Sequence, residues 1–469
     1  MSKIIILGAG PAGLSAGHEL SKNNKKVVII ERGKRVGGIS RTEEYKGNFF
    51  DIGGHRFFTK HKDIESFWQK TLKDDFLERP RLSRIYYNKK LFNYPLNMGN
   101  ALKNLGIISS VSVGFSFLSI KIKNLIIKQK ENSFEEWIIN RFGKKLFNTF
   151  FKSYTEKLWG ISTKDLSSDW AVQRIKDLSL TRAVKDSLFK IKHGEAKTLI
   201  KKFNYPKNGP GMMYEKMAER IGQKKGKILL NSYVDKIRHN NNKIITISVK
   251  KEEGKKEEVT GDNFISTLPI NKLIFKFFPK PPKDVIKAAR SLKFRSFIIV
   301  ALVIDEKDLF PDNWIYIHEP EVKMIRIQNF KNWSPYMVKD SNKTILGIEY
   351  VCWEGDDLWN KSNEDLIDLA RKELVKVGLA KKNQIIDGKA VRVADAYPVY
   401  GPGHKDNLKI ILNYLSNFKN LQTIGRSGMF RYNNMDHSTL TGLYAAKNLM
   451  GGNKNIFEVN EDNSYSEGI

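Results

Sequence analysis

From Lys3 to Arg32 the chain reads KIIILGAGPAGLSAGHELSKNNKKVVIIER, and its apolar positions come in two rhythms. Ile4–Leu7 and Val27–Ile30 are short unbroken apolar runs, the pattern of parallel strands buried on both faces. The segment between them predicts a helix that opens just after a glycine-rich turn. A different rhythm governs residues 147–160, where Phe147, Phe150, Phe151, Tyr154 and Leu158 recur three and four apart. That spacing predicts one face of a helix. Trp159 falls off the stripe, beside Gly160, which is placed to end the helix. The pair Tyr154 and Trp159 either closes a core or forms a wall for something flat.

Three further stretches complete the pattern. Leu105–Ile120 is the longest apolar run, speckled with serines and shorter than the roughly 20 residues a spanning helix needs. It predicts a buried or interfacial helix, and the lysines after it (Lys121, Lys123, Lys128) suit peripheral contact with anionic lipid. Ile228–Ile237 and Asn263–Leu273 predict strands split by the solvated hairpin KKEEGKKEE. Near the end, a strand to Ile424 leads through Gly425-Arg426 and a loop into a helix from about Asp436 to Met450, with a polar tail after Gly452. Strands and helices alternating in this way predict an α/β fold.

Composition narrows the class. A chain of 469 residues with a 41% hydrophobic fraction holds two or three lobes of a globular protein. The single cysteine, Cys352, excludes an internal disulfide and suits a cytoplasmic setting, and no signal peptide is expected before the first strand. The eight histidines lack metal-ligand spacing, so no metal is expected. The net charge of +30 is spread along the whole chain, without a basic arm or a nucleic-acid motif. A solvated basic surface or an anionic small substrate fits this better than nucleic acid. Oligomeric state is not legible.

Gly8, Gly10 and Gly13 complete G-x-G-x-x-G directly after the first strand. Gly8 permits the tight turn, Gly10 lets backbone approach a pyrophosphate, and Gly13 lets helix and strand pack closely. Pro11 and Ala12 open the helix whose N–H groups meet the phosphates. Glu31 ends the second strand, where a carboxylate binds ribose hydroxyls. This context is compatible with NAD or FAD.

The residues that follow resemble a flavin superfamily of the glutathione reductase-2 type, which contains amine oxidases, protoporphyrinogen oxidase, phytoene desaturase and UDP-galactopyranose mutase. The resemblance rests on ERGKRVGGIS, with Glu31, Arg32, Gly37, Gly38 and Arg41, and on FFDIGGH, with Gly53, Gly54 and His55. It implies FAD as cofactor, with Gly54 and His55 beside the isoalloxazine, Val234 near the adenine, and Gly425, Arg426 and Met435 at the flavin. It also implies a discontinuous Rossmann-type FAD-binding domain with inserted helical and mixed α+β substrate lobes. FAD-binding parts fall at 1–95, 205–273 and 396–452, a mainly helical lobe at 96–204, a sheet-containing lobe at 274–395, and a flexible tail at 453–469.

Within that superfamily GGHRFFTKHKDI, SYTEKLWGISTKDL, IRIQNF, AYPV and GRSGMFRY look like the UDP-galactopyranose mutases, in family order. From end to end the chain also resembles bacterial FAD proteins called simply oxidoreductases. The mutase likeness implies a nucleotide-diphosphate sugar as substrate and reduced flavin N5 as nucleophile in a pyranose–furanose ring contraction, a step toward cell-surface polysaccharide. Tyr154 and Trp159 would line the cleft, Arg174 and Arg326 would clamp the diphosphate, and Tyr397 and Tyr432 would reach its oxygens. The pattern departs from the mutases after Arg174 and at Asn433-Asn434, so base and sugar differ from theirs or the chemistry does. The alternative is an FAD-dependent oxidoreductase of the amine oxidase, protoporphyrinogen oxidase or phytoene desaturase type.

Overall fold

A computed structural model describes residues 2–94, 98–127, 129, 131–175 and 202–460. Its frame is a five-stranded parallel sheet in the order Leu421–Thr423, Asn263–Ser266, Lys3–Leu7, Lys26–Ile30 and Lys227–Leu229. The first strand lies at the centre, with Ile4 opposite both Val27 and Asn263. Ile4, Ile5, Ile6 and Leu7 are all buried, which is why the run carries no alternation.

Two helices cover one face, Pro11–Lys22 and Met435–Leu449. They touch at Gly442, where a Cβ would come within 2.1 Å of Ser15 Oγ. The Ser15 hydroxyl donates to the Thr439 carbonyl at 3.0 Å, tying the two helices together. Chain segments more than 400 residues apart thus share one layer.

A seven-stranded sheet forms the second lobe, in the order Ile385–Pro398, Phe294–Ile304, Thr344–Cys352, Arg326–Asn329, Trp314–Ile317, Ser83–Tyr87 and Lys90–Asn93. The last two strands come from the segment expected to serve the cofactor domain. They pair instead with Trp314–Ile317, in parallel register Trp314↔Ser83. The hairpin KKEEGKKEE joins the antiparallel strands Lys243–Lys251 and Lys256–Thr260, with Gly254 at φ 87° in its turn.

The helical lobe includes Ile107–Ile126, Phe134–Phe142 and Lys152–Trp159. Phe134–Phe142 starts with a capping box, Ser133 Oγ accepting from the Glu136 amide and the Glu136 carboxylate accepting from the Ser133 amide. The stripe expected over 147–158 is not one regular helix. Phe147–Phe151 is a π turn that leads into the α-helical Lys152–Trp159. A π turn holds one extra residue and rotates everything after it by about 100°. Trp159 therefore comes back into line with Phe147, and both are 1% exposed. Gly160 ends the helix at φ 64°, its amide donating to the Glu156 carbonyl.

Candidate active site

The C-terminal ends of the parallel strands and the N-termini of both covering helices open onto one cavity of about 1100 Å³. This is where a doubly wound sheet binds its ligand. Gly8, at φ +104°, turns the chain out of the first strand. A Cβ on Gly13 would stand 2.0 Å from the Gly8 carbonyl oxygen, so Gly13 serves helix–strand packing and does not line the cavity. Gly10 differs: a Cβ there would meet only the Gly38 Cα, at 3.9 Å, and otherwise fill cavity space. No side chain caps the helix at Gly10 and no acid lies in its first turn, which begins Pro11-Ala12. The open amides and the missing Cβ make a cradle that fits a pyrophosphate.

The Glu31 carboxylate borders this cradle, accepting the Ala9 and Gly33 amides at 2.7 Å each. Those bonds fix its rotamer and leave lone-pair capacity toward the cavity, which Arg32 also lines. Gly37, at φ +100°, donates its amide to the Ala9 carbonyl and holds the second glycine turn against the first. Gly38 lines the cavity and Gly37 does not. Arg41, also on the wall, is tied to Glu43 at 2.7 Å and to the Gly38 carbonyl at 2.8 Å.

Gly53, Gly54 and His55 line the cavity, but the protein itself explains both glycines. Gly53 sits at φ +91°, and a Cβ on Gly54 would press to 2.8 Å on the Gln328 amide nitrogen. Burial first, then the charges of Arg426 and Arg326, push the His55 imidazole down to about 3, so it is neutral at working pH. Val234, Gly425, Arg426 and Met435 also face the cavity.

Another part of the cavity wall combines cations and aromatic rings. Arg426 lies 3.9 Å from the Tyr432 ring centroid and 4.8 Å from that of Tyr397, and the two tyrosine rings stack at 5.7 Å. The Ala396 and Asn433 carbonyls accept from its guanidinium at 2.8 and 3.2 Å, which holds the stack in place.

Arg326 lines the cavity but is not an open clamp. Cross-strand register places it opposite Glu349, and its Nε and Nη2 reach the same Glu349 oxygen at 2.8 and 2.7 Å. Gln328 donates to the other Glu349 oxygen at 2.6 Å, and the Glu349 carboxylate is 0% exposed. Burial works against the Arg326 charge, but Glu349 overrides it and holds the guanidinium well above its ordinary range. Arg326 thus lines the cavity as half of a pair whose charge is already cancelled.

Tyr154 and Trp159 do not form the wall. Tyr316 lines the cavity, with Tyr154 edge-on behind it at 6.0 Å and stacked on His318 at 4.5 Å. Trp159 packs edge-to-face on Trp170 at 4.6 Å and stands 6.4 and 6.5 Å behind Tyr397 and Tyr432. The π turn is the cause, since it swings Trp159 into the core. Lys157, in the same run, donates to the carbonyls of Ile317, Glu319, Val322 and Met324 at 2.9–3.3 Å. It is half-buried, and the desolvation lowers it to about 8 against the pull of Glu373 and Glu319. Arg174 belongs to the helix Ser168–Ile175, but its side chain lies outside the described residues.

Sequence reasoning missed Trp314, Tyr316 and Gln328, which the seven-stranded sheet brings to the wall, and Trp333, which comes from the short helix Phe330–Trp333. It also missed Lys34, Arg35, Arg56, Lys276, Lys389 and Arg392 around the cavity. Arg56 had a signal, standing next to His55. Asp436 was missed too: it faces the cavity from the first turn of Met435–Leu449 and takes up part of that helix's positive end. Among the described residues, no group of three His, Cys, Asp or Glu could hold a metal.

Comparison with known proteins bears on this site. The model of the family described as flavin containing amine oxidoreductase matches residues 11–450. The chain is 29% identical over 171 residues to dTDP-fucopyranose mutase of Escherichia coli, covering 35% of this chain and 44% of that one. It is 24% identical over 326 residues to the L-amino-acid oxidase of Sistrurus catenatus edwardsii, covering 65% of this chain and 58% of that one. Each alignment thus spans less than two thirds of the relative. In structure it is similar to reduced UDP-galactopyranose mutase, with a TM-score of 0.84 at 20% identity, covering 100% of this chain and 99% of the other.

Proposed function

Because the chain belongs to the flavin-containing amine oxidoreductases, with FAD as cofactor, we propose that it is a mutase of nucleotide-diphosphate sugars, interconverting pyranose and furanose rings. The observation that carries this reading is the polar part of the cavity wall, with Arg326, Gln328 and Arg426 set among Tyr316, Tyr397 and Tyr432. A nucleotide sugar needs N–H donors for its diphosphate and flat faces for its rings, and this wall offers both. A polyene would be better held by an apolar tunnel. FAD, bound and reduced, supplies the nucleophile toward the anomeric carbon.

The protein's own part is positioning. Arg326, held by Glu349, presents its remaining donors to phosphate oxygens, and the Tyr397 and Tyr432 hydroxyls add to them. Arg174 is proposed as the second arginine of that clamp. Tyr154 and Trp159 act from behind, keeping the wall tyrosines in place. A second reading, an oxidoreductase of the amine oxidase type, is favoured by the L-amino-acid oxidase likeness, whose sequence alignment spans more of the chain than that with dTDP-fucopyranose mutase does.

One experiment separates the two. Dithionite-reduced protein is incubated without oxygen with a panel of nucleotide sugars, and the products are separated by chromatography. The mutase reading expects a ring isomer over many turnovers with no net oxidation of the flavin. If oxidised protein instead bleaches on meeting an amine and regains colour with oxygen or a quinone, the second reading replaces the first.

A further inference from the structure

The helix Ile107–Ile126 is turned inside out relative to an ordinary surface helix. Val113 is its one buried side chain among the described residues. Phe117 packs partly against the core beside it, but six of its larger apolar side chains point outward: Ile108 is 89% exposed, Leu125 87%, Ile107 84%, Ile126 77%, Phe115 70% and Ile122 59%. At about 100° per residue these six fall within one arc of about 100°, opposite Val113. Single exposed apolar residues are ordinary, but a continuous stripe about 30 Å long (twenty residues at 1.5 Å each) is not.

The charges around the stripe are of one sign. Lys121 and Lys123 fall on its two sides, about 40° and about 60° beyond its edges at the same angular step. Lys145 joins them at the base, where its amide donates to Ser116 Oγ at 3.1 Å. From residue 79 to residue 130 the sequence holds no Asp or Glu. The next acids are already engaged: Glu131 with Arg141, Glu135 with Thr163, and Glu136 in its capping box.

We propose that this helix docks the protein on an anionic lipid surface, lying flat with its apolar stripe among the acyl chains and its lysines at the headgroups. Stripe and flanking cations together are the pattern of an interfacial helix. No described helix is long and apolar enough to cross a membrane, so the contact is with one leaflet. A second copy of the chain fits less well: face-to-face pairing would set the two lysine rows against each other with no acid between them.

The test uses the full-length, flavin-loaded protein and sedimentation with vesicles at about 0.15 M salt, where exposed charges more than about 8 Å apart are screened. Vesicles of phosphatidylcholine with phosphatidylglycerol are expected to bind it, and vesicles of phosphatidylcholine alone to bind it poorly. The variant I108S/L125S should partition onto the anionic vesicles at least about tenfold less, with flavin content and melting temperature unchanged, because each exposed side chain loses its burial in lipid. K121E/K123E should also lose binding. Equal binding by I108S/L125S would reduce the effect to general charge and overturn the proposal. So would a dimer in sedimentation velocity that this variant disperses, with no vesicle binding by the parent protein.

Discussion

A side chain at Gly10 has nowhere to go but the cavity. Its Cβ would touch only Gly38 Cα within the protein, so Gly10→Val leaves the fold intact and takes the space of the pyrophosphate. The variant should purify folded but colourless, read from flavin absorbance per chain; a fully yellow variant would mean that the cofactor lies elsewhere. Arg326 obeys different physics. Removing it leaves the Glu349 carboxylate, 0% exposed, without its cation. Arg326→Ala should therefore cost about 3 to 5 kcal/mol of stability in denaturant unfolding, the usual penalty for orphaning half of a buried pair. The double variant R326M/E349L should recover most of that loss. If Arg326→Ala alone is neutral, the pair does not persist in solution. Arg326 itself was legible as a motif residue, but its partner was not. Glu349 lies in an apolar strand with no motif around it, and only antiparallel register places it opposite Arg326.

At the scale of elements, the π turn at Phe147–Phe151 decides how the helix after it faces. Periodicity located the helix and its glycine end, but a one-residue excess in hydrogen bonding leaves no mark on composition, so the face after it was misjudged. Trp159 consequently supports Tyr397 and Tyr432 from the core. Trp159→Ala should cost about 3 to 5 kcal/mol of stability, typical for emptying a buried tryptophan site. Trp159→Phe should keep most of the stability while lowering turnover, because the tyrosine stack loses part of its backing. A tryptophan that only filled space would leave turnover untouched in the phenylalanine variant. The first strand–turn–helix–strand unit was the most legible element, since each of its parts is local. The seven-stranded sheet was the least legible, because its strands are gathered from residues 83 to 398 and local pattern does not tell which ones pair.

For the whole molecule, stability should depend on pH through groups that the fold holds away from their ordinary ranges. His55 and His318 are both lowered to about 3, chiefly by burial. The unfolded chain takes up protons near 6.5 where the fold does not, so their contribution is full above about pH 6.5 and is lost as the pH falls. Asp51 runs the other way. Burial raises it to about 7 despite hydrogen bonds from Tyr205 and Thr42, so its contribution is present below about pH 4 and is lost as the pH rises toward 7. Asp51→Asn should remove the opposing slope and steepen the fall in melting temperature between about pH 6.5 and 4; an unchanged slope would place Asp51 among ordinary ionised carboxylates. The cation-rich surface was legible from composition, but the division of labour among the cations was not. Lys34, Arg35 and Lys276 stand around the cavity, whereas Arg326 is neutralised by Glu349. Attraction over distance and grip at contact are therefore assigned to different groups. Exposed cations speed the encounter with an anion and are screened beyond about 8 Å at 0.15 M salt, while bonds from a compensated pair are not. Rising ionic strength should slow the arrival of a nucleotide in stopped flow and leave its residence time nearly constant, so that salt acts on how often the site is visited and not on how long a visit lasts.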